Sequence, residues 1–400
     1  MMRLSSVKGA EYMNERQRII STLNGESTDK LPWATRLDIW HTARLRTGTL
    51  PEEMAGKELN EIHRFLKVGR QCYAHLISTR LRGVDMTVEF NGEVMQRETD
   101  PVMRFPQPRE LVTMDKPGDT LITLKTPAGV SRMRFRVVEE LIRGAAAPYL
   151  VEHLLKDDND FGVVKWILSH SEIVANYDDF VAKEKLAGDD GFTIGMMERI
   201  PFQRILLDLM GEEQTIYSMM DCPDNFQYLM DIFTEQGREM VTLSLASPAL
   251  MLEFTDNLEG SITSPTLFEK YCMPFMQEAA DRVHAQGRYL GSHMDGNMKS
   301  LLHLVPECGV DVVESFSPAP LTRLSFEDAW KAWDGKVLMW GGIPSPIFEP
   351  HVPEREFTQW ITRMLDILDD DRRIILGIGD QAVGPSLMGR IKIASEMLGR

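Results

Sequence analysis

No stretch of this sequence approaches 18 consecutive apolar residues, an absence that removes a membrane-spanning helix from the reading. The start lacks a basic segment followed by an apolar core and a small-residue cleavage site, so no secretory signal is expected and the cytoplasm is the expected address. Cysteine is scarce. Cys72, Cys222, Cys272 and Cys308 stand far apart with no metal-knuckle or redox spacing, and four buried reduced thiols are expected. Positive charge is also short: Lys plus Arg number 44 against 60 Asp plus Glu, and the formal net charge of −16 repels a phosphate backbone. Nucleic acid is therefore not an expected partner. There is no solenoid repeat, low-complexity tract, P-loop or dinucleotide fingerprint.

What is present fits a globular enzyme. A hydrophobic fraction of 43% and a charged fraction of 26% are ordinary for a folded domain, and 400 residues suit one barrel carrying an insertion. The chain is read as one domain over 1–400, with 1–13 as a flexible leader. Asn14 precedes a helical stretch over 15–23, which Asn24-Gly25 can close because glycine enters the left-handed region easily. Residues 33–38 read as a first strand.

Between 83 and 138 the hydrophobic period changes to two. The runs 86–90 and 93–97 flank Asn91-Gly92, a pair that supplies the positive φ angles of a tight hairpin turn, and 120–125 and 131–136 form a second such unit. These are read as a β insertion. From Ser171 onward, amphipathic helices alternate with short apolar strands, the pattern of parallel βα units. The clearest helix is 265–285, with Ser264 as N-cap, Pro265 at the first helical position and Gly287 beyond its end. Five apolar runs, 249–254, 289–292, 310–313, 337–340 and 374–378, each end in polar, glycine or proline residues. Parallel strands that finish this way gather those residues on one rim, where barrel enzymes keep their chemistry. The expected fold is a (β/α)8 TIM barrel.

Particular residues carry a family resemblance. The stretch from Glu15-Arg16 through Asn24-Gly25 to Asp29-Lys30-Leu31-Pro32, then Ser264-Pro265, His284 to Gly287, His293-x-Asp295-Gly296-Asn297, Gly309 to Asp311 and Ile375 to Gly379, together resemble the uroporphyrinogen decarboxylase superfamily. The resemblance implies a TIM barrel and offers two activities. True decarboxylases hold a tetrapyrrole's carboxylates with an arginine-rich segment after the first strand. Here that place reads Ala34-Thr-Arg36-Leu-Asp38-Ile-Trp40, with one arginine and an acid that repels an acidic substrate. The second branch comprises corrinoid-dependent methyltransferases, whose zinc sits on a His-x-Cys pair and a later cysteine. His293 matches the histidine, and Asp295 and Asp380 stand where the cysteines would be.

His293 and Asp295, two apart on an extended segment, face one side and can approach one ion, and Asp380 can close the set. Replacing thiolates with carboxylates makes the ion a stronger Lewis acid and less thiophilic, which favours an oxygen substrate. The expectation is a metal-dependent methyltransferase moving methyl from an O-methylated small molecule to a corrinoid protein. Its cofactors would be a divalent metal, zinc by resemblance, and cobalamin carried by a separate partner, since the chain shows no Asp-x-His-x-x-Gly pattern of its own. A homodimer is an expected assembly.

Asp256, Glu259 and Glu314 are candidate acids for the leaving oxygen, with Glu259 an alternative fourth ligand. Arg36 and Asp38 are candidate substrate contacts, and Trp40 and Trp340 candidate walls of an apolar pocket. Plainer roles stand beside these. His293 and Asp295 would also serve as a hydrogen-bonded pair ordering a loop, and Asp380 as a helix cap. The alternatives in function are a decarboxylase-like lyase acting on an acidic substrate and a non-catalytic ligand-binding barrel.

Overall fold

The computed structural model of the protein describes residues 12–368 and 373–399. Residues 1–11 of the expected leader lie outside the described residues. Eight strands form one parallel sheet in chain order: β1 (Ala34–Thr35), β2 (Gly69–His75), β3 (Gly191–Met196), β4 (Met251–Phe254), β5 (Tyr289–His293), β6 (Val312–Phe316), β7 (Leu338–Pro344) and β8 (Ile374–Gly379). The last strand meets the first. Trp33 bridges Leu376 in parallel, and the Leu376 amide donates to Pro32 O at 2.9 Å. This is the TIM barrel expected from the alternation of apolar runs and helices.

The helix Glu15–Leu23 begins at Asn14, whose side chain accepts from the Gln17 amide while Gln17 reaches back to the Asn14 amide. Ile19 and Leu23 then pack with Ala34, Phe192, Ile194, Met251, Val312, Trp340 and Ile375 inside the barrel. This helix therefore plugs the end of the barrel remote from the polar rim.

The first strand is shorter than expected. Only Ala34–Thr35 pairs with β2, and Asp38 opens the helix Asp38–Thr47, where a carboxylate in the first turn suits the positive helix end. The helix expected over 265–285 is interrupted by a π turn, Phe268–Cys272, before Met273–His284. Pro274 accounts for the interruption, because it lacks an amide proton and its ring crowds the preceding turn. Cys72, Cys272 and Cys308 are buried free thiols, whereas Cys222 is only half-buried.

Between β2 and β3 the chain builds two antiparallel sheets. One orders Glu93–Thr99, Asp85–Phe90, Gly118–Thr126, Gly129–Val137 and Tyr149–Glu152; the other orders Ser171–Ala175, Ile77–Leu81 and Val102–Met103. Both turn residues of the first hairpin have positive φ, 50° at Asn91 and 85° at Gly92. Antiparallel pairing thus runs past residue 138 to Ala175. Among the described residues, no helix is long and apolar enough to cross a membrane.

Candidate metal centre and cavity

Alternate residues of a strand share a face, and on β2 this sends Gln71, Tyr73 and His75 toward the barrel axis. Gln71 meets Glu314 of β6 and Tyr73 meets His293 of β5, and both partners stand close to Glu253 of β4. His293 Nδ1 donates to Glu314 Oε2 at 2.6 Å, and Gln71 Nε2 donates to the other oxygen, Oε1, also at 2.6 Å. With Nδ1 engaged, Nε2 lies 3.6 Å from Asp295 Oδ2 and 4.0 Å from Asp380 Oδ1. Asp295 also accepts from Asn257 Nδ2 at 2.9 Å. Arg36 pairs with Asp380, and its guanidinium lies 4.1 Å from the centre of the Tyr73 ring.

A backbone irregularity aims this cluster. The β6–β7 register shifts between Glu314 and Phe316, and Ser315 between them has φ 62°. A bulge of this kind turns a strand locally and is common beside functional sites. It leaves Glu314 buried against His293, while the Ser317 hydroxyl accepts from the Asp380 amide at 3.2 Å. Gly341 of β7 fits because a Cβ there would stand 2.8 Å from Phe316 O and 2.9 Å from Phe316 N.

The electrostatics are dominated by burial. Burial opposes charge on His293, but Glu314 and Asp295 outweigh it and hold the imidazole pKa well above its ordinary value. Glu314 is correspondingly held low by His293 against its own burial. Burial and then Glu314 push the Glu253 carboxyl well above its usual range. Both Glu253 oxygens are buried without a hydrogen-bond partner.

Donor atoms of His293, Asp295 and Asp380 all lie within 4.8 Å of one another, as do those of Glu253, His293 and Glu314. The first set fits a divalent ion by its chemistry: a nitrogen whose ring partner is fixed by a carboxylate, and two acidic oxygens. Asp380 caps no helix, since the next helix starts at Met388 with Leu387 as its N-cap. The structure therefore brings together the three residues singled out as ligands.

The cluster opens on a cavity of about 470 Å³. Arg36, Tyr73, His293, Asp295 and Asp380 line it on the barrel side, and Arg104, Gln107, Arg109, Ala146 and Ala147 on the insertion side. Several expected contacts lie elsewhere. Trp40 is buried and donates from Nε1 to Ser386 O at 3.2 Å, and Trp340 is buried in the barrel interior, donating to Ala34 O at 3.3 Å. Neither walls the cavity, because each large ring fills core space instead.

Asp38 is exposed, 3.5 Å from Arg70, and borders a separate pocket. Glu259 accepts from the Asn297 amide at 2.8 Å and from the Ser261 hydroxyl at 2.8 Å, so it ties two loops together rather than reaching the ion site. Asp256 is wholly buried, accepting from the Ile200 amide at 2.9 Å and from Ser292 Oγ at 2.8 Å. It braces the strand ends behind the cavity. Glu314 lies on the site, but as the carboxylate that orients His293.

Comparisons with known proteins agree with this architecture. Residues 205–380 match the family model described as uroporphyrinogen decarboxylase (URO-D). Among solved structures, a methyltransferase from Methanosarcina mazei superposes with a TM-score of 0.51 at 16% identity, covering 97% of this chain and 100% of that one. The resemblance to the uroporphyrinogen decarboxylase superfamily stands. At that identity the solved structure speaks for the fold alone. A GH2 beta-galacturonidase from Eisenbergiella tayi, bound to galacturonate, matches with a TM-score of 0.30 at 11% identity over 82% of this chain and 73% of that one, too low a score to carry an argument. No curated protein sequence matches.

Sequence reading passed over several residues of this site. Glu253 was visible as one acid inside an otherwise apolar strand, 249–254, which is itself a sign of an inward polar role. Gln71 and Tyr73 lie on a strand with no clean alternation of apolar and polar residues, and Arg104, Arg109 and Arg199 reach the cavity only through tertiary folding.

Proposed function

We propose that the chain is a metal-dependent methyltransferase that takes methyl from an O-methylated small molecule and passes it to a corrinoid carried by a separate protein. The observation that supports it most is the convergence of His293 Nε2, Asp295 and Asp380 on the wall of one cavity. These three residues would hold the divalent ion, zinc in the first instance. When bound there, the ion supplies Lewis-acid polarisation of the ether oxygen, which makes a poor leaving group depart more readily.

The chain's own residues do the rest. Glu314 fixes the imidazole so that its free nitrogen faces the ligand set, and Gln71 fixes Glu314. Arg36 and Asn257 restrain the two aspartates, so the oxygens need little reorganisation on binding a cation. Carboxylate donors in place of thiolates favour an oxygen-bearing substrate over a thiol. The lyase alternative draws no support from Asp38, which stands outside the cavity.

Elemental analysis of purified protein, before and after chelation and readdition of zinc, tests the reading together with methyl transfer from methoxylated compounds to free reduced cobalamin. About one ion per chain, lost in His293→Ala together with demethylation, is the expected result. Protein that holds no divalent metal and recovers none on readdition would overturn it.

A further inference from the structure

The cavity has a second polar wall, built where the insertion meets the barrel, and its arginines are not equivalent. Arg36 is paired with Asp380, Arg199 with Asp208, and Arg104 with Glu110. Arg109 has no such ion pair among the described residues. Its Nε donates to Gln107 Oε1 at 3.0 Å, and Gln107 is anchored by donating from Nε2 to Leu207 O at 2.9 Å. That chain orients the guanidinium and leaves both terminal nitrogens without a hydrogen-bond partner among the described residues. A fixed planar fork is the geometry that grips a carboxylate with two parallel hydrogen bonds.

Arg109 is exposed, so a ligand from solvent can reach the fork. Desolvation holds the Arg109 pKa below the ordinary arginine value, and like charge from Arg199 and Arg104 outweighs part of the relief that Asp208 gives. His75 borders the same cavity. Burial and then Arg104 push its imidazole down to about 3, so the ring is neutral near pH 7. Arg104 Nη1 donates to His75 Nε2 at 2.8 Å, which places the ring proton on Nδ1, and that nitrogen is buried with no partner. The uncommitted Arg109 guanidinium thus lies on the cavity wall, while the His75 N–H is enclosed within the protein.

We propose that this wall is an anion subsite and that the methyl donor carries a carboxylate, seated on the Arg109 fork. Only the word "donor" rests on the methyl-transfer reading; the subsite itself does not. A carboxylate is favoured over a phosphate dianion because Glu198 and Asp208 line the same cavity. One uncommitted guanidinium balances one negative charge there, and a second would meet repulsion.

Calorimetric titration tests this with 3-methoxybenzoate and 3-methoxypropionate, each beside its neutral primary amide, and with inorganic phosphate, on the wild type, Arg109→Gln and His293→Ala. In the wild type at least one acid binds about 10-fold or more tightly than its amide, the size expected of a charge-assisted pair. Arg109→Gln removes that preference without shifting the melting temperature. His293→Ala keeps it, so loss of the metal centre and loss of the subsite are separable. Acids that bind no better than amides, a preference that survives Arg109→Gln, tighter binding of phosphate, or no binding of either acid would each overturn the proposal.

Discussion

His293 Nδ1 and Glu314 Oε2 stand 2.6 Å apart, joining the neighbouring strands β5 and β6 at the polar rim. This bond selects the imidazole face presented to the cavity. Nε2 is left free to meet Asp295 and Asp380, whereas an imidazole flipped about its Cβ–Cγ bond would put Cδ2 against Glu314 and Cε1 toward the two aspartates. The orientation of the ligand set thus depends on a carboxylate that is not itself one of the three expected ligands.

Glu314→Gln should therefore weaken zinc binding without unfolding the barrel. The amide keeps the volume and an oxygen for Gln71, but loses the charge that fixes the imidazole. Replacing such a partner of a metal-binding histidine costs about 10–100-fold in affinity. Competition against a chromophoric chelator measures it, with circular dichroism confirming the fold. Unchanged affinity would show that Glu314 has no part in orienting His293.

Asp256 gives a prediction with a definite sign in pH. Burial, against the hydrogen bonds from Ile200 and Ser292, pushes its carboxyl up to about 6. The folded state therefore holds the proton more tightly than the unfolded chain. Its contribution to stability is full below the unfolded value near 4 and is lost as pH rises through about 6, at roughly 3 kcal/mol in all. Asp256→Asn accepts from the Ile200 amide and can donate to Ser292 Oγ, so it should remove this slope. Urea unfolding at pH 4, 5, 6 and 7 checks it. An identical pH dependence in both proteins would rule Asp256 out as the source.

The barrel was legible because parallel strands buried on both faces read as short continuous apolar runs. All five runs named in the C-terminal half begin within two residues of where their strands begin in the structure, and all five are strands of the barrel. The proximity of His293, Asp295 and Asp380 was legible because two of them share a face of one segment and the third directly follows the last strand. What escaped was decided by three-dimensional packing. Trp340 and the strand-end polar residues have similar sequence surroundings, but its ring turns inward against Phe192, at 5.9 Å between centroids, and fills the barrel. Glu259 and Asp256 stand close to the rim in sequence, yet their oxygens are taken up by backbone amides and hydroxyls of adjoining segments. The number of carboxylates on a rim exceeds the number facing the cavity, and sequence alone does not sort them.

Gly341→Ala tests the bulge. The added methyl carbon would lie 2.8 Å from Phe316 O, at a residue whose φ of 131° already disfavours a side chain. Both strands would have to shift, and stability should fall by about 1–3 kcal/mol. Because the same bulge aims Glu314, zinc affinity should fall with it. Loss of stability with unaltered affinity would separate the bulge from the metal centre.

Ile19→Ala tests the opposite end of the barrel. Ile19 is wholly buried, and it packs with Phe192, Met251 and Trp340 below the polar layer. Removing a buried isoleucine side chain down to its Cβ leaves a cavity that the stiff strands around it cannot collapse to fill. The cost is about 2–5 kcal/mol. The polar cluster takes its geometry from the opposite strand ends and from the Ser315 bulge, so zinc affinity at a temperature where the variant stays folded should match the wild type. Chemical unfolding and chelator competition on the same preparation give both quantities. A loss under about 1 kcal/mol would mean that the helix Glu15–Leu23 is not a tightly packed plug. A parallel loss of zinc affinity would mean that the plug and the metal centre form one mechanical unit rather than two.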